Sequence, residues 1–192
     1  NNVHIDASSA EKSGGGGGIA VYSSRVALAQ ISLKQCRAGT GGGGSLLLGG
    51  EAEVHMLQCN LEDNRAESSG GHIKVVASKL KVHSKGSSLS WPKQEPMFPN
   101  SKELATNQAT SLSNGEAPIS GGSISCIASL APSKGIFLGK GTKISRSSSN
   151  EGGGISANLC SLELLGTSIS NATSFTGNGG AILVSTGSTL RI

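Results

Sequence analysis

Six times along the chain a glycine pair runs into a small residue and then an aliphatic one. The copies are Gly16-Gly17-Gly18-Ile19, Gly43-Gly44-Ser45-Leu46, Gly70-Gly71-His72-Ile73, Gly121-Gly122-Ser123-Ile124, Gly152-Gly153-Gly154-Ile155 and Gly179-Gly180-Ala181-Ile182. The aliphatic markers Ile19, Leu46, Ile73, Ile124, Ile155 and Ile182 are spaced 27, 27, 51, 31 and 27 residues apart. Three equal intervals define a period, and the interval of 51 is one period with 24 inserted residues. A period of this length marks a repeat array, in which each unit can bury its apolar face only against its neighbours.

Each unit alternates as a strand does. Two places after each marker stand Val21, Leu48, Val75, Cys126, Ala157 and Val184, and a two-residue period sends them to the marker's side, inward. The residues between, Ala20, Leu47, Lys74, Ser125, Ser156 and Leu183, have the mixed character expected of an outer face. A second alternating run follows: Val26-Ala-Leu28, Val54-His-Met56, Leu80-Lys-Val82, Leu162-Glu-Leu164 and Leu190-Arg-Ile192. A third short segment precedes the next glycine pair. Short strands joined by tight turns predict coils stacked about 4.8 Å apart, roughly 29 Å for six. The expected fold is all-β: a right-handed parallel β-helix, a pectate-lyase-like solenoid of about six coils. The right-handed preference of parallel crossovers sets its hand.

Composition supports that reading by exclusion. Glycine takes 29 of 192 positions, roughly double the usual share of about 7%. Its clusters are not the every-third spacing of collagen. Charged residues are only 15% and aromatics 3%, too few for a coiled coil or an aromatic-rich core. No apolar run approaches the ~18 residues of a membrane-spanning helix. Residues 1–192 read as one β-helical domain, a fragment of a longer protein, because the chain opens on Asn1-Asn2 and stops inside an apolar alternation. The insertion falls at about 87–109. It holds Pro92, Pro96 and Pro99, which cannot donate to a ladder, so it is read as a loop. Its Trp91, Lys93, Phe98 and Lys102 are the candidate recognition residues, because loops on rigid scaffolds carry function.

Chemistry-bearing residues are sparse. The net charge of +4 is scattered, and the densest basic patch (Lys74, Lys79, Lys81, Lys85 with His83) lacks interleaved aromatics, so nucleic acid is not expected as a partner. Cys36, Cys59, Cys126 and Cys160 have no zinc-site spacing and do not recur at equivalent coil positions, so no disulfide is expected. Glycoside hydrolysis needs two converging carboxylates. The aspartates Asp6 and Asp63 lie far apart, while Glu51 and Glu53 read as a solvated strand edge. His55 and His83 fall at similar places in adjacent units and are expected to stack there as exposed polar residues, too few alone for a metal site. His72 fills a small-residue slot and is expected to be exposed. Gly135-Ile-Phe-Leu-Gly139-Lys140 has the wrong spacing for a phosphate loop. No catalytic, cofactor or metal residues are assigned.

The C-terminal coil is more specific. Phe175-Thr-Gly-Asn178 leads directly into Gly179-Gly180-Ala181-Ile182. This combination resembles the FxxN and GGA(I/L/V) repeats of the chlamydial polymorphic outer membrane proteins, and Leu61-Glu-Asp-Asn64 ahead of Gly70-Gly71 looks like the same pattern with leucine for phenylalanine. The resemblance implies an exported β-helical passenger, often adhesive. Asn64 and Asn178 are expected at turns, their amides bonding backbone of their own and adjacent coils. The function expected is a non-enzymatic surface or secreted protein, extracellular or outer-membrane-displayed, with a protein or glycan surface as partner. The alternative is a carbohydrate-active β-helix whose catalytic residues lie outside the chain.

Overall fold

Parallel strands stack into a β-solenoid of six coils in the computed structural model, which describes residues 3–10, 15–84, 108–129 and 134–192. These residues contain no helix. Each coil crosses three sheets. Sheet 1 stacks Val3–Asp6, Ile31–Lys34, Asn60–Glu62, Ser111–Ser113, Lys143–Ser145 and Ser168–Ser170. Sheet 2 carries the markers: Ile19–Tyr22, Leu46–Gly49, Ile73–Val76, Ile124–Ser129, the start of Ile155–Leu164, and Ile182–Ser185. Sheet 3 stacks Arg25–Ala29, Glu53–Leu57, Lys79–Val82, Gly135–Leu138, the end of Ile155–Leu164, and Thr189–Arg191. Between sheets 1 and 2 runs a strip of two-residue strands, among them Ser9–Ala10, Arg37–Ala38 and Arg65–Ala66.

All six markers share one register, so Ile19, Leu46, Ile73, Ile124, Ile155 and Ile182 form a single file down sheet 2. Leu46, Ile73, Ile124 and Ile155 are fully buried, while Ile19 and Ile182, in the terminal coils, are half-buried. Sheet 1 faces them with Leu33, Leu61, Leu112 and Ile144, and sheet 3 closes the core with Val54, Met56, Leu80, Val82 and Leu138. Each such side chain contributes ~1.5–3 kcal/mol by leaving water. Gly135–Leu138 is the sheet 3 strand of the fourth coil and places Ile136 and Leu138 in the core.

The glycine pairs have a steric cause. The second glycine donates its N–H to the first glycine of the next coil: Gly17 to Gly43, Gly44 to Gly70, Gly71 to Gly121, Gly122 to Gly152 and Gly153 to Gly179. A methyl group on Gly71 would collide with the carbonyl oxygen of Gly122, and one on Gly122 with that of Gly153. The backbones approach so closely that no side chain fits.

The corner after sheet 1 is solved differently. Every coil turns it through a non-glycine residue at positive φ: Ala7, Gln35, Asp63, Asn114, Arg146 and Asn171, all between 49° and 57°. Such backbone costs of order 1–3 kcal/mol per residue. The N–H groups of the first five are satisfied by the next coil, as where Asp63 donates to the Ser113 carbonyl.

Two sequence expectations fail here. Leu47, Ser125 and Ser156, assigned to an outer face, are buried, because each lies between in-register neighbours above and below. A disulfide does form, between Cys126 and Cys160, with Cα atoms 6.1 Å apart. Equivalent coil positions are not required. The chain turns at Leu159 (φ 51°), and Cys160 joins Cys126 inside the core. Cys36 and Cys59 stay free and buried, and burial raises the Cys59 thiol to about 11.

Candidate functional site

Trp91, Lys93, Phe98 and Lys102, with nearly all of the 87–109 insertion, lie outside the described residues. The coils on either side are in direct register across it, Leu61 on Leu112 and Ile73 on Ile124. Three other polar sites are in view.

The first is an open groove of about 1110 Å³ where sheet 1 meets the strip in the first three coils. Arg37 and Arg65 stand in register on its floor, with Ser9, Gln35, Asp63 and Glu67 around them. Arg65 pairs with Glu116 at 3.6 Å, and Asp63 accepts a hydrogen bond from the Asn114 amide at 2.6 Å. The lining of the groove carries both donors, Arg37 and Arg65, and acceptors, Asp63 and Glu67. Sequence reasoning missed it because Arg37 and Arg65 become neighbours only once the period is wound up.

The second is an interior amide–imidazole pair. Asn64 is fully buried, accepts from the Cys36 N–H at 2.9 Å and donates to the Leu33 carbonyl at 3.0 Å, both in the coil before it. Its second amide proton goes to His72 Nδ1 at 2.9 Å, which leaves His72 as the neutral Nε2–H tautomer. His72 is 0% exposed, contrary to the sequence expectation. Ser45, His72 and Ser123, one place before their markers, are all buried, and the turns before His72 and Ser123 pass through Gly70 and Gly121 at positive φ. Burial pushes the imidazole down to about 3, with the Ser113 carbonyl opposing. Gly115 makes room for the ring, since a methyl group there would strike His72. Its Nε2 has no hydrogen-bond partner among the described residues.

The third lies on the outer face of sheet 3. Glu53 receives Lys79 at 2.9 Å, Arg25 at 3.3 Å and His55 Nε2 at 3.1 Å. Burial opposes its ionisation, but the bonds from Lys79 and His55 outweigh that and hold the carboxyl below its usual range. His55 Nδ1 meets His83 Nε2 at 3.0 Å. The two rings stack as expected, but His55 is only 7% exposed and His83 half-buried. Burial lowers both imidazoles, His83 to about 4. Glu51, by contrast, is exposed and paired with Lys134. The Glu51/Glu53 pair thus divides into one solvated group and one hub.

The two asparagines of the repeat motif separate as well. Asn178 is exposed and meets the neighbouring coil through its backbone carbonyl, which accepts from Gly152. Phe175 is 66% exposed, whereas Leu61 is fully buried. Register places Leu61 opposite Leu112, Ile144 and Ile169, so the two stretches of similar sequence occupy different parts of their coils.

Compared with protein-family profiles, curated proteins and solved structures, the chain matches none. Among the described residues no helix is long and apolar enough to cross a membrane.

Proposed function

We propose that this chain is a non-enzymatic β-solenoid, displayed at a cell surface or secreted, where it serves as a stalk or adhesin-like passenger related to the polymorphic outer membrane protein repeats. The observation that carries the reading is the Cys126–Cys160 cross-link between adjacent coils. Disulfides persist in oxidising compartments outside the cytosol and are rare within it. The paired carboxylates add support. Glu51, Glu53, Glu62, Glu116 and Glu163 are each held by a lysine or arginine, which suits a structural role better than acid–base work.

Binding to a protein or glycan surface is assigned to the 87–109 insertion, whose Trp91 and Phe98 are the anchor types enriched at interfaces. Removal of residues 88–108 tests this, because the coils flanking them are already in register. The deleted chain should keep its melting temperature within a few degrees and lose adhesion to immobilised cells or glycans. Retained adhesion by a folded deletion variant would sink the loop assignment. The second reading is a carbohydrate-active β-helix whose catalytic residues lie outside the chain, with the groove that holds Asp63 and Glu67 as a subsite for the polymer. Reducing ends or unsaturated products released from uronic-acid polymers by a longer chain that carries those residues, above a heat-killed control, would establish it in place of the first.

A further inference from the structure

Only two of the chain's asparagines precede a glycine, Asn114 and Asn178. We infer that Asn178–Gly179 is a self-modification site, at which the chain converts its own asparagine to aspartate or isoaspartate and so loosens the sixth coil. The step needs an exposed side-chain amide and a backbone nitrogen free to attack it. Glycine attacks most readily, because it has no Cβ to crowd the ring that forms. Asn178 is exposed, and its side-chain amide has no hydrogen-bond partner among the described residues. At the same place in earlier coils, Gly70, Gly121 and Gly152 donate their N–H groups to the Ser120, Glu151 and Asn178 carbonyls. The Gly179 N–H has no such acceptor among the described residues.

The Gly179 nitrogen bonds to the Asn178 side-chain carbonyl carbon and gives its proton to the departing amide, which leaves as ammonia. One water then opens the cyclic imide at either of its C–N bonds. The product is aspartate or, with one more carbon in the backbone, isoaspartate. Asn114 is held back from the same step. Its side-chain amide donates to Asp63 Oδ1 at 2.6 Å, its N–H donates to the Ser145 carbonyl at 3.0 Å, and the Gly115 carbonyl accepts from Ser148 at 2.9 Å. Gly115 is itself buried against the His72 ring.

The position of Asn178 gives the change a consequence. Asn178 occupies in the sixth coil the place of Glu151 in the fifth, each carbonyl accepting from a glycine of the coil before. Both side chains are exposed, and that of Glu151 leans over Gly177, where a methyl group would strike it. A carboxylate made at position 178 faces Glu151 from a neighbouring strand about 4.8 Å away, and like charges directly opposite are destabilising. The bonds that weaken are those from Gly152 and Gly153 to the Asn178 and Gly179 carbonyls.

The test is ageing of the whole chain in mildly alkaline buffer, folded and in urea, followed by peptide mass mapping and enzymatic methylation of isoaspartate. In the folded chain Asn178 should convert about 10- to 100-fold faster than Asn114, the rate cost of parting one hydrogen bond to a carboxylate. In urea the two steps should keep pace. The site is overturned if the folded chain spares Asn178 while the unfolded chain converts it, if Asn114 keeps pace with Asn178 in the folded chain, or if the gap persists unchanged in urea. The loosening has its own readout. Asn178→Asp should speed amide hydrogen exchange at Gly152 and Gly153, and Glu151→Gln in the same chain should restore it. Unchanged exchange in the first variant, or no recovery in the second, overturns the loosening.

Discussion

His72 couples the solenoid to pH more directly than any other described residue. Its folded-state value of about 3 lies below the ordinary 6.5 because the ring is buried. Between those values the unfolded chain holds a proton that the folded chain does not, so stability falls as pH falls. The contribution is fully present above pH 6.5 and is lost progressively toward pH 3. At pH 4.5 the loss amounts to about 2–3 kcal/mol. His72→Ser, which installs the residue found at Ser45 and Ser123, should flatten much of that slope. Urea melts of both chains at pH 7 and pH 4.5 measure it, and equal slopes would remove His72 from the account. The sequence could not reveal this residue's burial. Alternation counted back from Ile73 sends position 72 outward, yet the residue is buried, just after a turn that passes through Gly70 at positive φ (72°). Asn64 was more legible, because a buried corner needs a side chain that can both donate and accept.

Ladders are the elements of this fold, and they were read at the outset because they obey one period. The markers and the sheet 3 run could be recognised by alternation alone, whereas the two-residue strip strands are too short to alternate. The Cys126–Cys160 pair was hidden by the Leu159 bend, which no periodicity signals. Two substitutions separate the ladder's steric and apolar demands. Gly122→Ala drives a methyl group into the Gly153 carbonyl and should cost at least about 1–3 kcal/mol. The same change at Gly180 meets nothing nearer than 3.9 Å and should stay within about 0.5 kcal/mol. Chemical denaturation of the two variants side by side decides the point, and equal effects would contradict the close-approach explanation. Ile73→Asp places a carboxylate in a fully buried slot and should cost several kcal/mol; a melting temperature within a degree of the parent would be inconsistent with the stack.

At the scale of the whole molecule, the disulfide joins the fourth coil to the fifth across a sequence separation of 34. Closing a loop of that size stabilises a fold by about 2–4 kcal/mol in the chain-entropy account. Reduction, or Cys126→Ser with Cys160→Ser, should lower the melting temperature, and free-thiol titration should rise from two groups to four once the unfolded chain is reduced. Four titratable thiols before reduction would show the cross-link absent and withdraw the support for export. The same bond has a mechanical meaning. Tension applied along the stack would load the hydrogen bonds of one coil boundary at a time, so coils would peel away singly from an end, each at modest force. Peeling that advances from the C-terminal side would stop at the fifth coil, which is held to the fourth by a covalent bond that no comparable force can part. A solenoid built this way carries a stop: coils beyond the bond yield to a pull one at a time, and the yielding halts where the two cysteines join.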